Sequence, residues 1–265
     1  MSHATAFRAL HAGPDILVLP NAWDAASAAM MADAGAKAVA TSSAAVAWAH
    51  GYADGDLFPA PLLLTAISEM TRVLNVPLTA DIEGGYTDDL VQLAQTIKAV
   101  VGSGAVGINL EDGRRDPALH ARKIEAARTA ADQAGVDLFI NARTDVYLKG
   151  LMTGEAALAE VIDRARLYGQ AGADGIFVPG PIDEALFVAL AADIALPLNA
   201  MSRAGLPNAA ALQRAGVRRL SSGGGLFATA YGALARATAA YLAEGDSGEL
   251  AGLGEGLPNL NKRFG

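Results

Sequence analysis

Five times along the chain an alanine-rich amphipathic stretch stops at Ala-Gly or Gly-Ala and gives way to a short run of Val, Ile, Leu or Phe: DAGAKAVAT, GSGAVGINL, DQAGVDLFI, QAGADGIFV and RAGVRRLSS. Gly35, Gly104, Gly135, Gly172 and Gly216 stand where a helix would stop, because glycine enters the left-handed region without steric cost. The apolar runs are short and continuous, as in strands covered on both faces. This punctuation predicts eight strand-then-helix units, with strands at residues 16–22, 38–42, 77–83, 107–111, 138–143, 175–180, 197–201 and 218–222. Strand–helix alternation implies a parallel sheet with right-handed crossovers. Eight units in about 250 residues match a closed (β/α)8 TIM-type barrel of the α/β class. An open doubly wound sheet is the runner-up, weakened because no G-x-G-x-x-G opens a first helix.

The barrel domain is expected over residues 1–245, and the glycine-rich stretch 246–265 is expected to be an irregular tail. An Ala/Gly-rich helix at 226–245 suits close packing, including packing between subunits. The N-terminus has no basic start followed by an apolar core, and no uninterrupted apolar run reaches membrane-spanning length, so a cytoplasmic protein is expected.

Composition narrows the chemistry. Of 265 residues 52% are hydrophobic and 18% charged, enough for a large core. A net charge of -8 argues against a nucleic-acid surface. The absence of cysteine excludes disulfides, thiolate metal sites and a cysteine nucleophile.

In a barrel the C-terminal strand ends form the active face. Nearly every predicted strand turns polar at that end: Asn21, Ser42 and Ser43, Asp81 and Glu83, Glu111 and Asp112, Asn141 and Arg143, Asn199. Asp81 and Glu83 are two apart, so they share a face on a strand. Glu111 is expected on the neighbouring strand end. Three carboxylates there repel one another, and a hard divalent cation, Mg²⁺ or Mn²⁺, relieves that repulsion with all-oxygen ligands. Gly84 and Gly85 would turn the backbone away and leave room for a ligand. Thr87 is the expected N-cap of the next helix. Arg143 reads either as a site residue or as a salt-bridge partner of Glu111. His3, His11, His50 and His120 form no ligand-spaced cluster, and Trp23 and Trp48 read as packing residues.

The segments LPNAWDAASA, TSSAAVAWAHGYADGD, TADIEGGY, GAVGINLEDG, INARTDVYL, AGADGIFVPG and PLNAM resemble, in order and spacing, the isocitrate lyase/phosphoenolpyruvate mutase superfamily, in its lyase/mutase-like branch. The resemblance implies a (β/α)8 barrel whose last helix is exchanged between subunits of a dimer or dimer of dimers. It implies Mg²⁺ and a 2-oxo acid or its enolate as ligands. By resemblance Asp81 and Glu83 hold the metal, Glu83 standing where Asp is usual. Asp54 and Glu111 match acids that hold its waters, and Ser42, Ser43 and Ala44 match the loop that grips the substrate carboxylate. Arg143 matches the arginine on the substrate oxygens, and Asn199 is a weaker match. The loop EDGRRDPALHARKIEAAR has no cysteine, so the familiar isocitrate and methylisocitrate lyase mechanism is not expected. Between Gly113 and Ala121 it also lacks the lysine and asparagine of the phosphonopyruvate enzymes' lid. These features favour a Mg²⁺-dependent carbon–carbon lyase or decarboxylase for a small 2-oxo acid or related hydroxy acid. The alternatives are phosphorus–carbon chemistry and a non-catalytic 2-oxo-acid binding protein. Arg114 and Arg115 read as surface charges or as holders of a second carboxylate, and His50 or His120 as a base.

Overall fold

A computed structural model describes residues 1–265, the side chains of residues 249 and 253 excepted. The chain begins with helix α1 (His3–Ala12), followed by β1 (Leu17–Leu19), β2 (Asn21–Ala22), α2 (Ala25–Asp33), β3 (Val39–Thr41), α3 (Ser43–Ala49) and α4 (Ala60–Val73). Then come β4 (Leu78–Asp81), α5 (Leu90–Gly102), β5 (Gly107–Glu111), α6 (Pro117–Gln133), β6 (Phe139–Arg143), α7 (Gly154–Gln170) and β7 (Gly175–Phe177). The chain ends with α8 (Glu184–Asp193), β8 (Leu198–Met201), α9 (Ala209–Arg214), β9 (Val217–Ser221), α10 (Gly225–Glu244), α11 (Gly248–Leu253) and α12 (Leu260–Phe264).

All strand pairs are parallel, in the order β1-β9-β8-β7-β6-β5-β4-β3-β2. The predicted first strand is one chain segment broken at Pro20, which has no N–H to give to a ladder. Its first half, β1, pairs with β9 and its second half, β2, pairs with β3. The kinked strand thereby joins both sheet edges, and the architecture is a (β/α)8 barrel. The five predicted helix stops hold: Gly35, Gly104, Gly135, Gly172 and Gly216 have φ of 97°, 97°, 72°, 103° and 91°.

Alternate strand residues separate two layers. Leu78, Ala80, Ile108, Leu110, Ile140, Ala142 and Ile176 face the helices and join the main core. A smaller core of Leu17, Leu19, Ala38, Ala40, Val106 and Phe139 lies at the N-terminal end of the strands, closed by Ala4 and Phe7 of α1. Phe7 meets Phe139 edge-on with centroids 5.5 Å apart, and His11 stacks on Phe139 at 4.1 Å. Arg8 ties α1 down through Asp137 and Asp174, both at 2.7 Å. That end of the barrel is plugged, so the C-terminal mouth is the open one.

Three local expectations are corrected. Helix α5 is capped by Asp89, whose carboxylate accepts the Val91 and Gln92 N–H groups, and not by Thr87. The tail is not irregular throughout: it carries α11 and α12, and Arg263 returns to α2 through Asp33 at 2.8 Å. The predicted strand 77–83 stops at Asp81.

Helix α10 buries only Phe227 and Ala237 among its described side chains, leaving Leu226, Tyr231, Leu234, Tyr241 and Leu242 exposed. Beside it, an apolar groove of ≈ 710 Å³ lies open over Val18, Pro20, Trp23, Met30, Met31 and Leu220. Among the described residues no helix is long and apolar enough to cross a membrane.

Phe7→Ala removes a fully buried ring from the plug. It is expected to cost about 3–5 kcal/mol of unfolding free energy in urea titrations. A cost below about 1 kcal/mol would contradict this packing.

Candidate active site

The β5–β6 register sets Glu111 directly opposite Arg143. Arg143 Nη1 donates to Glu111 Oε2 at 2.6 Å. On its other side Nε donates to Asp145 Oδ1 at 2.7 Å and Nη2 to Oδ2 at 3.3 Å. Lys149, one helical turn after Asp145, brings Nζ to 3.0 Å from Asp145 Oδ2 and 3.6 Å from Glu111 Oε1. Asp112 faces away from this group. It accepts from Arg164 Nη1 at 2.7 Å, from the Tyr168 hydroxyl at 2.8 Å and from the Asp145 N–H at 2.9 Å, so it braces the Asp145 backbone from behind. Of the two readings of Arg143, the structure shows the pairing with Glu111.

Asp81 ends β4, and Glu83 lies beyond the strand in the left-handed region with φ 51°. The two acids therefore do not share a strand face. A tight turn brings them together instead: the Glu83 N–H donates to Asp81 Oδ1 at 3.1 Å. Glu83 Oε2 accepts from the Gly55 N–H at 2.9 Å and from the Asp56 N–H, while Oε1 is buried without a hydrogen-bond partner. Asp56 (φ 60°) and Tyr86 (φ 59°) are the other described non-glycine residues at positive φ, so the rarely populated backbone collects where these two loops meet.

The glycines after Glu83 do not leave open space. A Cβ on Gly84 would run into the Arg115 guanidinium, and one on Gly85 into Leu93. Arg115 lies across Gly84 because it is paired with Asp56 at 2.8 Å and Asp88 at 2.7 Å. It straps two loops together and is not the free holder of a second carboxylate. Buried Lys123 anchors Asp88 from below at 2.8 Å.

Ser42 caps α3, its hydroxyl accepting the Ala45 N–H at 3.4 Å. Ser42 and Ser43 are buried and Ala44 is half-buried. Thr41 ties this segment to the acids by accepting the Asp81 N–H at 2.8 Å. Asp54 is exposed on the neighbouring loop, close enough for its charge to act on both Asp81 and Glu83. Asn199 is placed differently: its amide is used up inside the barrel. Asn141 Nδ2 donates to Asn199 Oδ1 at 3.0 Å and to Asn109 Oδ1 at 2.9 Å, and Asn199 Nδ2 donates to Ala200 O at 2.6 Å. Arg219 reaches the same chain, Nη2 lying 3.3 Å from Asn109 Oδ1, and burial lowers its pKa to about 9 against the opposing pull of Asp81. Neither histidine offered as a base joins the acids. His120 is buried against Tyr168 and lowered to about 3 by burial and then by nearby Lys123, Arg115 and Arg164. His50 sits exposed at the C-cap of α3.

Asp56, Asn109, Asp145, Lys149 and Arg219 also stand at or beneath the mouth without being marked by strand-end position. Two signals were present: asparagine recurs as the third residue of GIN, FIN and PLN, and Asp145 and Lys149 have i,i+4 spacing just after a strand end.

Burial dominates the electrostatics. It raises the Asp81 carboxyl, with Arg143 and the Glu83 N–H opposing and Asp54 adding to the rise. Burial pushes Glu83 up to about 7, with the charges of Asp54, Asp56 and Asp81 adding. Burial likewise pushes Glu111 up to about 8, opposed by Arg143. A hard cation fits this donor set: Asp81 and Glu83 are buried oxygen donors, held together and without a cation partner of their own, and Glu83 Oε1 is an unused acceptor. Among the described residues no three His, Asp or Glu side chains already stand at ligating spacing. Mg²⁺ commonly takes one or two carboxylates and completes its shell with water and substrate.

A parallel barrel with acids and an arginine gathered at its C-terminal mouth defines the class of (β/α)8 enzymes. The phosphoenolpyruvate phosphomutase family model matches residues 7–242. A provisionally assigned phosphonomutase from Burkholderia cenocepacia J2315 is 43% identical, with 89% of this chain and 98% of that chain covered and a TM-score of 0.86. A provisionally assigned lyase/mutase from the same organism is 31% identical over 98% of this chain and 93% of that one, with a TM-score of 0.88. The 2-methylisocitrate lyase of Salmonella typhimurium is 31% identical, over 73% of this chain and 68% of its own length. The chain belongs to the phosphoenolpyruvate phosphomutase family, within the isocitrate lyase/phosphoenolpyruvate mutase superfamily. Its relatives are lyases and mutases, which places it among enzymes of carbon–carbon or phosphorus–carbon bonds.

Glu83 and Glu111 titrate higher in the folded chain, about 7 and about 8, than their ordinary 4.5. The unfolded chain therefore releases these protons first as pH rises, so folding stability falls across that window. Buried His120, neutral when folded, pulls the other way below its ordinary 6.5, so the comparison starts above that value: metal-free protein should show a lower urea midpoint at pH 8 than at pH 7, and Glu83→Gln should flatten the slope. A midpoint that rises over this range would contradict the arrangement.

Proposed function

We propose that the chain is a divalent-cation-dependent carbon–carbon lyase or decarboxylase acting on a small 2-oxo acid, or the related 2-hydroxy acid, through an enolate. The observation that carries the reading is Arg143, clamped between Glu111 and Asp145 beside the Asp81–Glu83 pair. Asp81 and Glu83 would hold Mg²⁺ or Mn²⁺, with Asp54 and Glu111 acting through water. When bound, the ion supplies Lewis-acid polarisation of the 2-oxo group. The Ser42–Ala44 segment receives the substrate carboxylate. Arg143 faces the 2-oxygen and stabilises the charge that grows there, without reorganising, because both of its carboxylate partners hold it. In decarboxylation the bond from C3 to its carboxylate breaks, CO₂ departs, and the electron pair passes into the C2–C3 bond and onto the 2-oxygen. No protein base is required for that step, which suits a mouth without a histidine.

The phosphonomutase assignment of the 43%-identical Burkholderia protein favours a second reading, phosphorus–carbon chemistry at the same site. Turnover of phosphonopyruvate, with none of 3-carboxy-2-oxo acids, would select it. Ligand binding without turnover of either would select a binding protein.

A second copy of the chain belongs to this reading. The exposed apolar side of α10 and the open groove beside it suit an exchange of α10 between two copies, giving a homodimer or homotetramer. Leu234→Asp, on the exposed side of α10, should shift the protein toward monomer in light scattering. An unchanged mass would count against the exchange.

Mg²⁺ together with oxalate, which mimics the enolate of pyruvate, should raise the thermal midpoint more than either alone. At a hundred times the dissociation constant the gain is about 2.7 kcal/mol. Asp81→Asn should abolish the joint effect while leaving the unliganded midpoint in place. A joint shift that survives in Asp81→Asn would remove the metal assignment.

A further inference from the structure

We infer that Lys149 forms, with Arg143, a two-cation cradle that selects substrates bearing a second carboxylate on the carbon next to the 2-oxo group. The inference rests on the 2-oxo-acid reading above and adds to it the residue that sets substrate class.

Asp145 is fully buried and holds both cations: Oδ1 takes Arg143 Nε at 2.7 Å, and Oδ2 takes Arg143 Nη2 at 3.3 Å as well as Lys149 Nζ at 3.0 Å. The two cations therefore meet at one carboxylate oxygen. With Arg143 on the 2-oxygen, Lys149 stands beside it on the side where a carboxylate on the adjacent substrate carbon would lie. Asp145 is itself immobile, because Asp112 holds its backbone N–H at 2.9 Å.

Of the two cations, Lys149 has donors to spare. Its side chain is 34% exposed against 13% for Arg143. An ammonium carries three N–H donors, and the 3.6 Å separation from Glu111 is too long for a good hydrogen bond. Lys149 lies over the turn after β5, where a Cβ on Gly113 would come within 3.2 Å of Nζ. The other basic residues of that turn are placed elsewhere: Arg115 is held by Asp56 and Asp88, and exposed Arg114 reaches back to the Lys149 carbonyl at 3.5 Å. A cation from the β6–α7 loop thus stands where the β5–α6 loop offers none.

The test is isothermal titration in Mg²⁺ with three probes: oxalate, lactate, and malate, which is lactate with a second carboxylate. The wild type should bind malate at least about tenfold more tightly than lactate, the scale of one charge-assisted contact. Lys149→Met should erase that preference and leave oxalate affinity within about twofold, whereas Lys149→Arg should retain it. A preference that survives in Lys149→Met overturns the proposal. Equal weakening of oxalate and malate also overturns it, because Lys149 would then act only by propping Asp145. A wild type that binds oxalate but does not prefer malate defeats the cradle alone. A wild type that does not bind oxalate defeats the underlying 2-oxo-acid reading and the cradle with it.

Discussion

The mouth of this barrel is organised around one cross-strand ion pair. Arg143 and Glu111 face each other because β5 and β6 pair in a single register, and a slip of one strand by one residue would turn its member of the pair toward the helices. A largely buried guanidinium needs carboxylates, and buried carboxylates need a cation. Asp145 supplies the second carboxylate, Asp112 braces Asp145, and Arg164 and Tyr168 of α7 brace Asp112. The constraint thus runs from the strand register outward into the helical layer. It also runs inward, where the amides of Asn109, Asn141 and Asn199 satisfy one another beneath the charges. Polar side chains fill the upper barrel, and apolar ones fill the lower end under α1.

A second device works through the backbone. Asp56, Glu83 and Tyr86 adopt left-handed conformations that cost free energy for residues with a Cβ. What holds them is local and specific: the Glu83 carboxylate accepts two backbone N–H groups, and Arg115 binds Asp56 and Asp88 across the face of Gly84. This arrangement puts a buried acid with one unused oxygen beside Asp81. Two acids that repel each other are kept together by loops that would otherwise relax, a geometry suited to a ligand that carries positive charge.

The barrel was legible in the sequence because its signals are local. Helix stops at Gly35, Gly104, Gly135, Gly172 and Gly216 follow from glycine's conformational freedom, and short apolar runs follow from burial on both faces. The polar strand ends were legible for the same reason, so Asp81, Glu111 and Arg143 could be located by position alone. Spacing predicts Glu83 beside Asp81 on a shared strand face, and the structure brings the two together through a turn instead. Asn199 lies deeper than its strand-end position suggests, because position along a strand does not reveal depth. Its amide satisfies Asn141 and the β8–β9 ladder below the mouth.

The sequence by itself determined the order of strands and helices, the parallel barrel, and the kinds of group collected at one end. These depend on periodicity and residue type, which are properties of neighbouring positions. Only the tertiary structure decided that Pro20 splits the closing strand between two partners, that Arg115 covers Gly84, and that Lys149 shares Asp145 with Arg143. Those outcomes depend on distances between residues far apart in the chain. Long charged side chains take whichever partner the packed loops bring within reach, and no local rule ranks those partners in advance.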